Sequence, residues 1–476
     1  MKKCLLFVIF LSAISLQLFS QEILDQFDKQ NYESLESKTQ YTIPTKMEWW
    51  YNDRFGMFIH FGSYSYYGHG EWCMFVENWT KEDYQNKITQ HFNPENFNAE
   101  QIVSLAKRAG MKYIIITAKH HEGFSMWNTA VSDFKDYTGS KVFDLYHYTN
   151  FKRDLLMELK TECDRQGIAF GLYYSILDWN HHSQFHKDYW SQLYSMDEKA
   201  PLIEAEKAQL KELIERYHPR VLWFDGDWCE NKDTTDVFSW WTKKDAINLH
   251  SYILSLDSTI IVNERIKRNL GLGDFMCPEE KIPSKPLPRP WETCQTMNGA
   301  WGFDSSKVNN YKSPDTLIHE LEAVVSRDGN YLLNIGPKGD GSLTEQDIYN
   351  LTEIGKWMDI YGESIYGATR SPFAEPSWGY YTQKENNIYC HILHPEKIQY
   401  IDVPLNELGI SLKKCKKNVI QSNKGETITA VELSQKEKRL KVQIVGQVAR
   451  IFLPHKAYTY SSVIAIKIQL IDIIRE

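Results

Sequence analysis

Five groups of polar and aromatic residues each follow directly on a short apolar run: His60, Lys119-His120-His121, residues 173–179, residues 225–228, and Glu264-Arg265. Side chains of these types can supply a nucleophile, a proton donor and directed hydrogen bonds to a polar substrate. Asp225 stands foremost. It follows Val221-Leu222-Trp223-Phe224, a run whose apolar character predicts a rigid strand with the carboxylate at its end, and Gly226 beside it permits close approach of a substrate or an unusual turn. The plain alternative is that Asp225 only caps the next loop. Asp227 would share its face if the extended backbone continued, so it is the natural rival. His120 and His121, adjacent on a strand, would point to opposite faces, and no third ligand of suitable spacing accompanies them. No metal or other cofactor is therefore expected, and hydrogen bonding to substrate hydroxyls suits the pair better. Burial against a backbone carbonyl is the competing reading for either histidine.

Such groups meet only if the chain brings their strand ends to one side of a sheet. The runs that predict strands are 57–61, 113–118, 169–174, 221–224, 260–263 and 331–335, with helical patterns at 99–109, 151–166, 202–217 and 244–256 between them. Gly110 and Gly167 stand where helices would end in left-handed caps. Alternation of this kind predicts a parallel α/β fold over about residues 45–370, and a (β/α)8-like barrel of TIM type would gather every listed strand end at one mouth. From 372 to 476 the texture changes to short β-type runs at 388–393, 419–422, 439–445 and 463–470, which predict a C-terminal antiparallel β-sandwich.

Whole-chain properties narrow the partners. A formal charge of -8 over 476 residues leaves no basic excess to neutralise phosphates, so nucleic acid is not expected as a partner. Residues 1–20, with Lys2 and Lys3 ahead of an apolar run at 5–18 and Ser20 before Gln21, read as a secretory signal peptide, which predicts a periplasmic or extracellular protein. That run is short and interrupted, and no membrane span is expected. Cys4 precedes the run, and the seven remaining cysteines are scattered without a Cys-x-x-Cys pair, so buried thiols are expected rather than a disulfide framework.

Nine ordered segments carry a resemblance: Phe58-Ile59-His60-Phe61-Gly62, Gly70-Glu71-Trp72, Thr117-Ala118-Lys119-His120-His121-Glu122-Gly123-Phe124, Phe151-Lys152-Arg153-Asp154, Gly171-Leu172-Tyr173-Tyr174-Ser175, Leu222-Trp223-Phe224-Asp225-Gly226, Val262-Asn263-Glu264-Arg265, Trp291-Glu292-Thr293-Cys294, and Asn330-Tyr331-Leu332-Leu333-Asn334-Ile335-Gly336-Pro337. Together they resemble the successive signatures of the glycoside hydrolase family 29 α-L-fucosidases. The resemblance implies a retaining glycosidase that releases terminal α-L-fucose from fucosylated oligosaccharides or glycoconjugates through a covalent fucosyl-enzyme. It implies Asp225 as nucleophile and Glu279 as acid/base, with Glu280 and Glu292 as rivals for the second role. By the same similarity His60, Glu71, Trp72, His120, His121, Tyr173, Arg265 and Trp301 form the fucose-binding shell. The histidines, Glu71 and Arg265 would hold ring hydroxyls, and Trp72 and Trp301 would cover the apolar side bearing the C5 methyl group. The stretch 137–148 looks longer than the family's usual link and is expected to remodel one rim of the mouth. A related hydrolase acting on galactose and a catalytically dead carbohydrate-binding barrel are the competing readings.

Overall fold

The computed structural model describes residues 41–471 except 183, 186–192, 195, 229, 232–239, 372, 409–411, 415–419, 423–426, 434–437, 447 and 454–462. Residues 1–20, expected to be a signal peptide, lie outside the described residues, as do Cys229 and Cys415.

Seven parallel strands form one curled sheet: β1 (Phe55–Ile59), β2 (Tyr113–Lys119), β3 (Ala169–Ser175), β4 (Val221–Asp225), β5 (Ile261–Val262), β6 (Trp291–Gln295) and β7 (Gly329–Ile335). Their order across the sheet is β5-β4-β3-β2-β1-β7-β6. Nearly every strand residue is buried, because one sheet face looks into the barrel and the other lies under helices. Phe58, Ile115, Tyr173, Trp223, Ile261, Cys277, Cys294 and Leu332 fill the inside. A ring of α1 (Ala99–Arg108), α2 (Leu155–Gln166), α3 (Lys199–Tyr217), α4 (Lys243–Leu256), α5 (Pro314–Val325) and α6 (Glu345–Tyr361) covers the outside. Most begin on a side-chain N-cap: Asn98 for α1, Asp154 for α2, Thr242 for α4, Ser313 for α5 and Thr344 for α6. Asp154 explains why the second helix starts at Leu155 and not at 151. Gly110 and Gly167 both take positive φ, at 88° and 74°, as the sequence predicts.

The barrel closes without an eighth strand. Residues 274–280 fill the gap between β5 and β6, pairing through single parallel bridges with Asn263 on one side and with Trp291 and Cys294 on the other. Asp274 N–H donates to the Val262 carbonyl at 2.6 Å and Glu264 N–H to the Phe275 carbonyl at 2.9 Å; on the far side Glu292 N–H donates to the Met276 carbonyl at 2.9 Å. Beside this seam β5 is only two residues long, and the amide of Asn263 takes over its pairing, with Phe224 N–H donating to Asn263 Oδ1 at 2.7 Å and Asn263 Nδ2 to the Phe224 carbonyl at 2.9 Å.

Beyond the barrel, short strands from Thr369 onward build an antiparallel sheet around the central strand Val463–Ile471, and Tyr400–Val403, Val448–Phe452 and Lys441–Val445 form a second, three-stranded sheet. The antiparallel part thus starts three positions before 372, because Thr369–Arg370 already pairs with Gly379–Lys384. Its apolar residues join the outer core of the barrel in one continuous cluster. Where the two meet, fully buried His391 lies 2.8 Å from Glu322 of α5 and 2.8 Å from Thr382 Oγ1. Thr382 donates to the Ser364 carbonyl at 2.9 Å, so it accepts from His391 Nε2–H.

Candidate active site

Asp225 ends β4 on the mouth side of the barrel. Its Oδ1 accepts from Arg265 Nη1 at 3.2 Å and from Arg268 Nη2 at 3.1 Å, while Tyr173 OH donates to Oδ2 at 3.3 Å. Burial opposes its charge, but Arg265, Arg268 and the Gly226 N–H outweigh burial and hold the carboxyl below the usual carboxylate range. The strand alternation does not run on to Asp227. Gly226 has φ 79°, which turns the chain, and the buried Asp227 carboxylate bonds the Arg268 guanidinium and, at 2.7 Å, the Arg268 N–H. Asp227 is therefore no rival for the mouth; it anchors an arginine.

Glu279 lies on the seam, opposite Asp225 across one guanidinium. Its Oε2 is 2.7 Å from Arg265 Nη2, so a single arginine bonds both carboxylates. Neither rival is placed for proton transfer. Glu292, fully buried on β6, accepts from Trp50 Nε1 at 3.1 Å, Tyr113 OH at 2.6 Å and Trp223 Nε1 at 3.2 Å inside the barrel, and burial raises its carboxyl to about 7. Glu280, with φ 51°, accepts the Thr296 N–H at 2.5 Å and so ties the seam to the end of β6.

Glu71 accepts the Gly302 N–H at 2.8 Å, and Gly70 N–H donates to the Phe303 carbonyl at 3.1 Å, which joins the loop after β1 to the loop carrying Trp301. Burial raises the Glu71 carboxyl to about 7, with the charge of Glu279 adding to the effect.

The histidines are neutral, and their tautomers follow from their partners. Ser175 Oγ donates to the Leu177 carbonyl at 2.5 Å, so it accepts from His121 Nδ1–H at 2.6 Å, leaving Nε2 of the neutral ring as an acceptor 3.7 Å from Asp225 Oδ2. Asn334 Nδ2 donates to the Trp301 carbonyl at 2.7 Å, so its Oδ1 accepts from His60 Nδ1–H at 2.7 Å. Burial holds His60 down to about 3 and His121 to about 4, and His120 well below its usual value. His120 Nδ1 and His121 Nε2 are buried without hydrogen-bond partners. The expectation that His120 and His121 point to opposite faces fails, because β2 ends at Lys119 and both rings turn to the mouth, their centroids 4.2 Å apart. His120 stacks on Tyr173 at 5.3 Å, and His60 lies 5.1 Å from the Trp301 ring.

Trp72 meets His121 edge-on at 5.3 Å, and Trp179 and Trp228 complete an aromatic wall around it. Behind that wall Trp179 N–H donates to the His121 carbonyl at 2.7 Å, and Asp178 pairs at 3.3 Å with fully buried Lys119. The longer link at 137–148 starts within a hairpin bridged between Lys135 and Val142, and Asn180 Nδ2 holds it by the Lys135 carbonyl at 2.7 Å, directly beside Trp179.

All ten residues singled out from the sequence come to one mouth. Ser175, Trp179 and Trp228 lie in the strand-end groups 173–179 and 225–228 but carried no role of their own there, and Arg268 and Asn334 were not singled out. Arg268 follows a two-residue strand that gives no periodicity to place it, whereas Asn334 lies in the recognised segment ending in Gly336-Pro337. No group of three or more potential metal ligands exists among the described residues. A cleft of about 520 Å³ lies on the outer surface between α1 and α2, lined by Arg153, Asp154 and Glu158. None of the residues lining it belongs to the group gathered at the mouth.

The alpha-L-fucosidase family model matches residues 20–363. The tissue alpha-L-fucosidase of Homo sapiens is 30% identical over 384 residues, covering 73% of this chain and 75% of the relative. The alpha-L-fucosidase of Dictyostelium discoideum is 28% identical over 67% of this chain and 71% of its own length. The structure of alpha-L-fucosidase isoenzyme 1 from Paenibacillus thiaminolyticus superimposes with a TM-score of 0.74 at 29% identity, covering 90% of this chain and 99% of that one.

Proposed function

This chain belongs to the alpha-L-fucosidase family of glycoside hydrolases, and from that premise we propose that it removes terminal α-L-fucose from oligosaccharides or glycoconjugates with retention of configuration, Asp225 being the nucleophile and Glu279 the acid/base. The observation that carries this reading is the single Arg265 guanidinium bonded to both carboxylates from two separate elements. A guanidinium that takes one carboxylate on each Nη holds both groups at one substrate site, as a glycosidase requires; a carboxyl separation of about 5 to 5.5 Å is what a double displacement needs, against more than about 6.5 Å for inversion.

In the first step the less encumbered Oδ2 of Asp225 attacks the anomeric carbon. A carbon–Oδ2 bond forms, and the electron pair of the breaking glycosidic bond passes to the leaving oxygen, which takes its proton from Glu279. In the second step Glu279 removes a proton from water, the water oxygen bonds to the anomeric carbon, and Asp225 departs as a carboxylate. His60, His120, His121, Glu71 and Arg265 supply polar contacts to the ring hydroxyls, and Trp72 and Trp301 cover the apolar side bearing the methyl group. Substrate held this way presents its anomeric carbon to Asp225.

Replacing Asp225 with Gly is expected to abolish turnover of an aryl α-L-fucoside, and azide is expected to restore part of it by forming the β-fucosyl azide. Unimpaired hydrolysis by that variant would overturn the assignment. The charged and apolar pattern of residues 1–20 supports export of the enzyme to the periplasm or the medium.

A further inference from the structure

We propose that Arg268 is a positioning residue for the nucleophile, anchored by Asp227 and acting on the reaction through Asp225. The inference rests on the reading of Asp225 as nucleophile. Arg268 bridges two carboxylates that are two positions apart on either side of Gly226. Its Nη2 donates to Asp225 Oδ1 at 3.1 Å, its Nη1 to Asp227 Oδ1, and its backbone N–H to Asp227 Oδ2 at 2.7 Å. Asp227 thus grips both ends of the residue. Lys267 Nζ reinforces the same turn, donating to the Asp227 carbonyl at 3.3 Å and to the Trp241 carbonyl at 2.5 Å, and the guanidinium lies 5.0 Å from the centre of the Trp228 ring.

This geometry has two consequences for Asp225. With Oδ1 gripped by two guanidiniums the carboxyl cannot rotate, so the same oxygen, Oδ2, always faces the substrate. The second consequence concerns charge. Arg265 divides itself between Asp225 and Glu279, and its hold on the nucleophile must change each time Glu279 gives up or takes a proton. Arg268 is fixed to Asp227, whose carboxylate takes no part in the proton transfers.

Among the described residues, the other titratable groups around Asp225 are His60 from the end of β1, His121 from the end of β2 and Tyr173 from β3. Burial keeps both imidazoles and the phenol neutral across the working range, which leaves the two arginines as the cations, among the described residues, that keep Asp225 ionised.

The test compares wild type with Arg268→Met, Arg268→Lys and Asp227→Asn in the full-length enzyme. Each is assayed for kcat and KM against pH on an aryl α-L-fucoside, and for its rate of covalent labelling by 2-deoxy-2-fluoro-fucosyl fluoride. Arg268→Met should raise the acidic limb of kcat/KM by about one pH unit. It should also lower kcat roughly 10- to 100-fold, with little change in KM and a parallel fall in labelling rate. Arg268→Lys should return the limb toward wild type while recovering only part of kcat, because it restores the charge but not the fork. Asp227→Asn should move both quantities in the direction of Arg268→Met. An unmoved acidic limb in Arg268→Met, or a loss confined to KM, overturns the proposal, as does a lysine variant no better than the methionine one. If Arg268→Met does not fold, the lysine and asparagine variants decide by the same criteria. Failure of the Asp225 assignment would show separately, as label on a different residue in peptide mapping.

Discussion

A carboxylate that attacks carbon must be ionised, and one that protonates a leaving oxygen must not be; under the proposed assignment the two demands fall on Asp225 and Glu279, joined through Arg265. The folded-state value of Asp225 lies below the usual carboxylate range. Its active form is therefore present at every pH above that depressed value and is lost as pH falls through it, so the acidic limb of kcat/KM should lie below the ordinary carboxylate range. For Glu279 the expected signature is a dependence on the leaving group. Glu279→Ala should widen the difference in rate between a methyl and a dinitrophenyl α-L-fucoside by roughly 10²- to 10⁴-fold, read from the slope of rate against leaving-group pKa. Glu292→Ala should leave that slope unchanged and instead lower the thermal midpoint, because it strands three buried donors inside the barrel. Asp225 was legible in the sequence because an apolar strand precedes it and Gly226 follows. Arg268 was not, because its role depends on Asp227 being turned back on itself, and no spacing rule announces that turn.

Among the elements, the strands with continuous apolar runs were readable, as β2, β3 and β4 illustrate. The first strand begins at Phe55 and ends at Ile59, two positions earlier than the apolar run at 57–61 implies, and this puts His60 just past the strand at the mouth, its N–H still donating to the Ile335 carbonyl at 3.1 Å. The strand β6 was recognised only as a motif, since Trp291-Glu292-Thr293-Cys294 places a carboxylate where a barrel interior is usually apolar; the carboxylate is tolerated because two indoles and a phenol reach it. Helices α5 and α6 were not anticipated. Element geometry also makes a prediction at Gly226. A Cβ there would lie 2.6 Å from both Cβ and N of Leu177, and φ at 79° is costly for any other residue. Gly226→Ala should cost about 1–3 kcal/mol in stability, seen as a lower thermal midpoint. It should also depress kcat more than KM, because the displaced turn carries Asp225.

Across the whole molecule, the barrel and the antiparallel sheets share one buried cluster, with Glu322, His391 and Thr382 hydrogen-bonded in a chain where they join. The change of texture after residue 370 was plain in the sequence, whereas this polar junction was not, since it pairs residues 69 positions apart. No helix among the described residues is long and apolar enough to cross a membrane. If residues 1–20 direct export, enzyme recovered from the periplasm or medium should begin at Gln21 on N-terminal sequencing, and recovery with Met1 intact would refute it. The seam at 274–280 has a wider meaning for how such an enzyme changes. The proposed nucleophile is mounted on a continuous strand, where an inserted residue would shift every neighbour in register, whereas the proposed acid/base is mounted on a stretch held by single bridges. On that assignment the chemistry is modular: exchanging the segment between residues 270 and 290 for one of different length retunes which aglycones are expelled while the sugar-attacking half, Arg265 and Arg268 included, stays as it is.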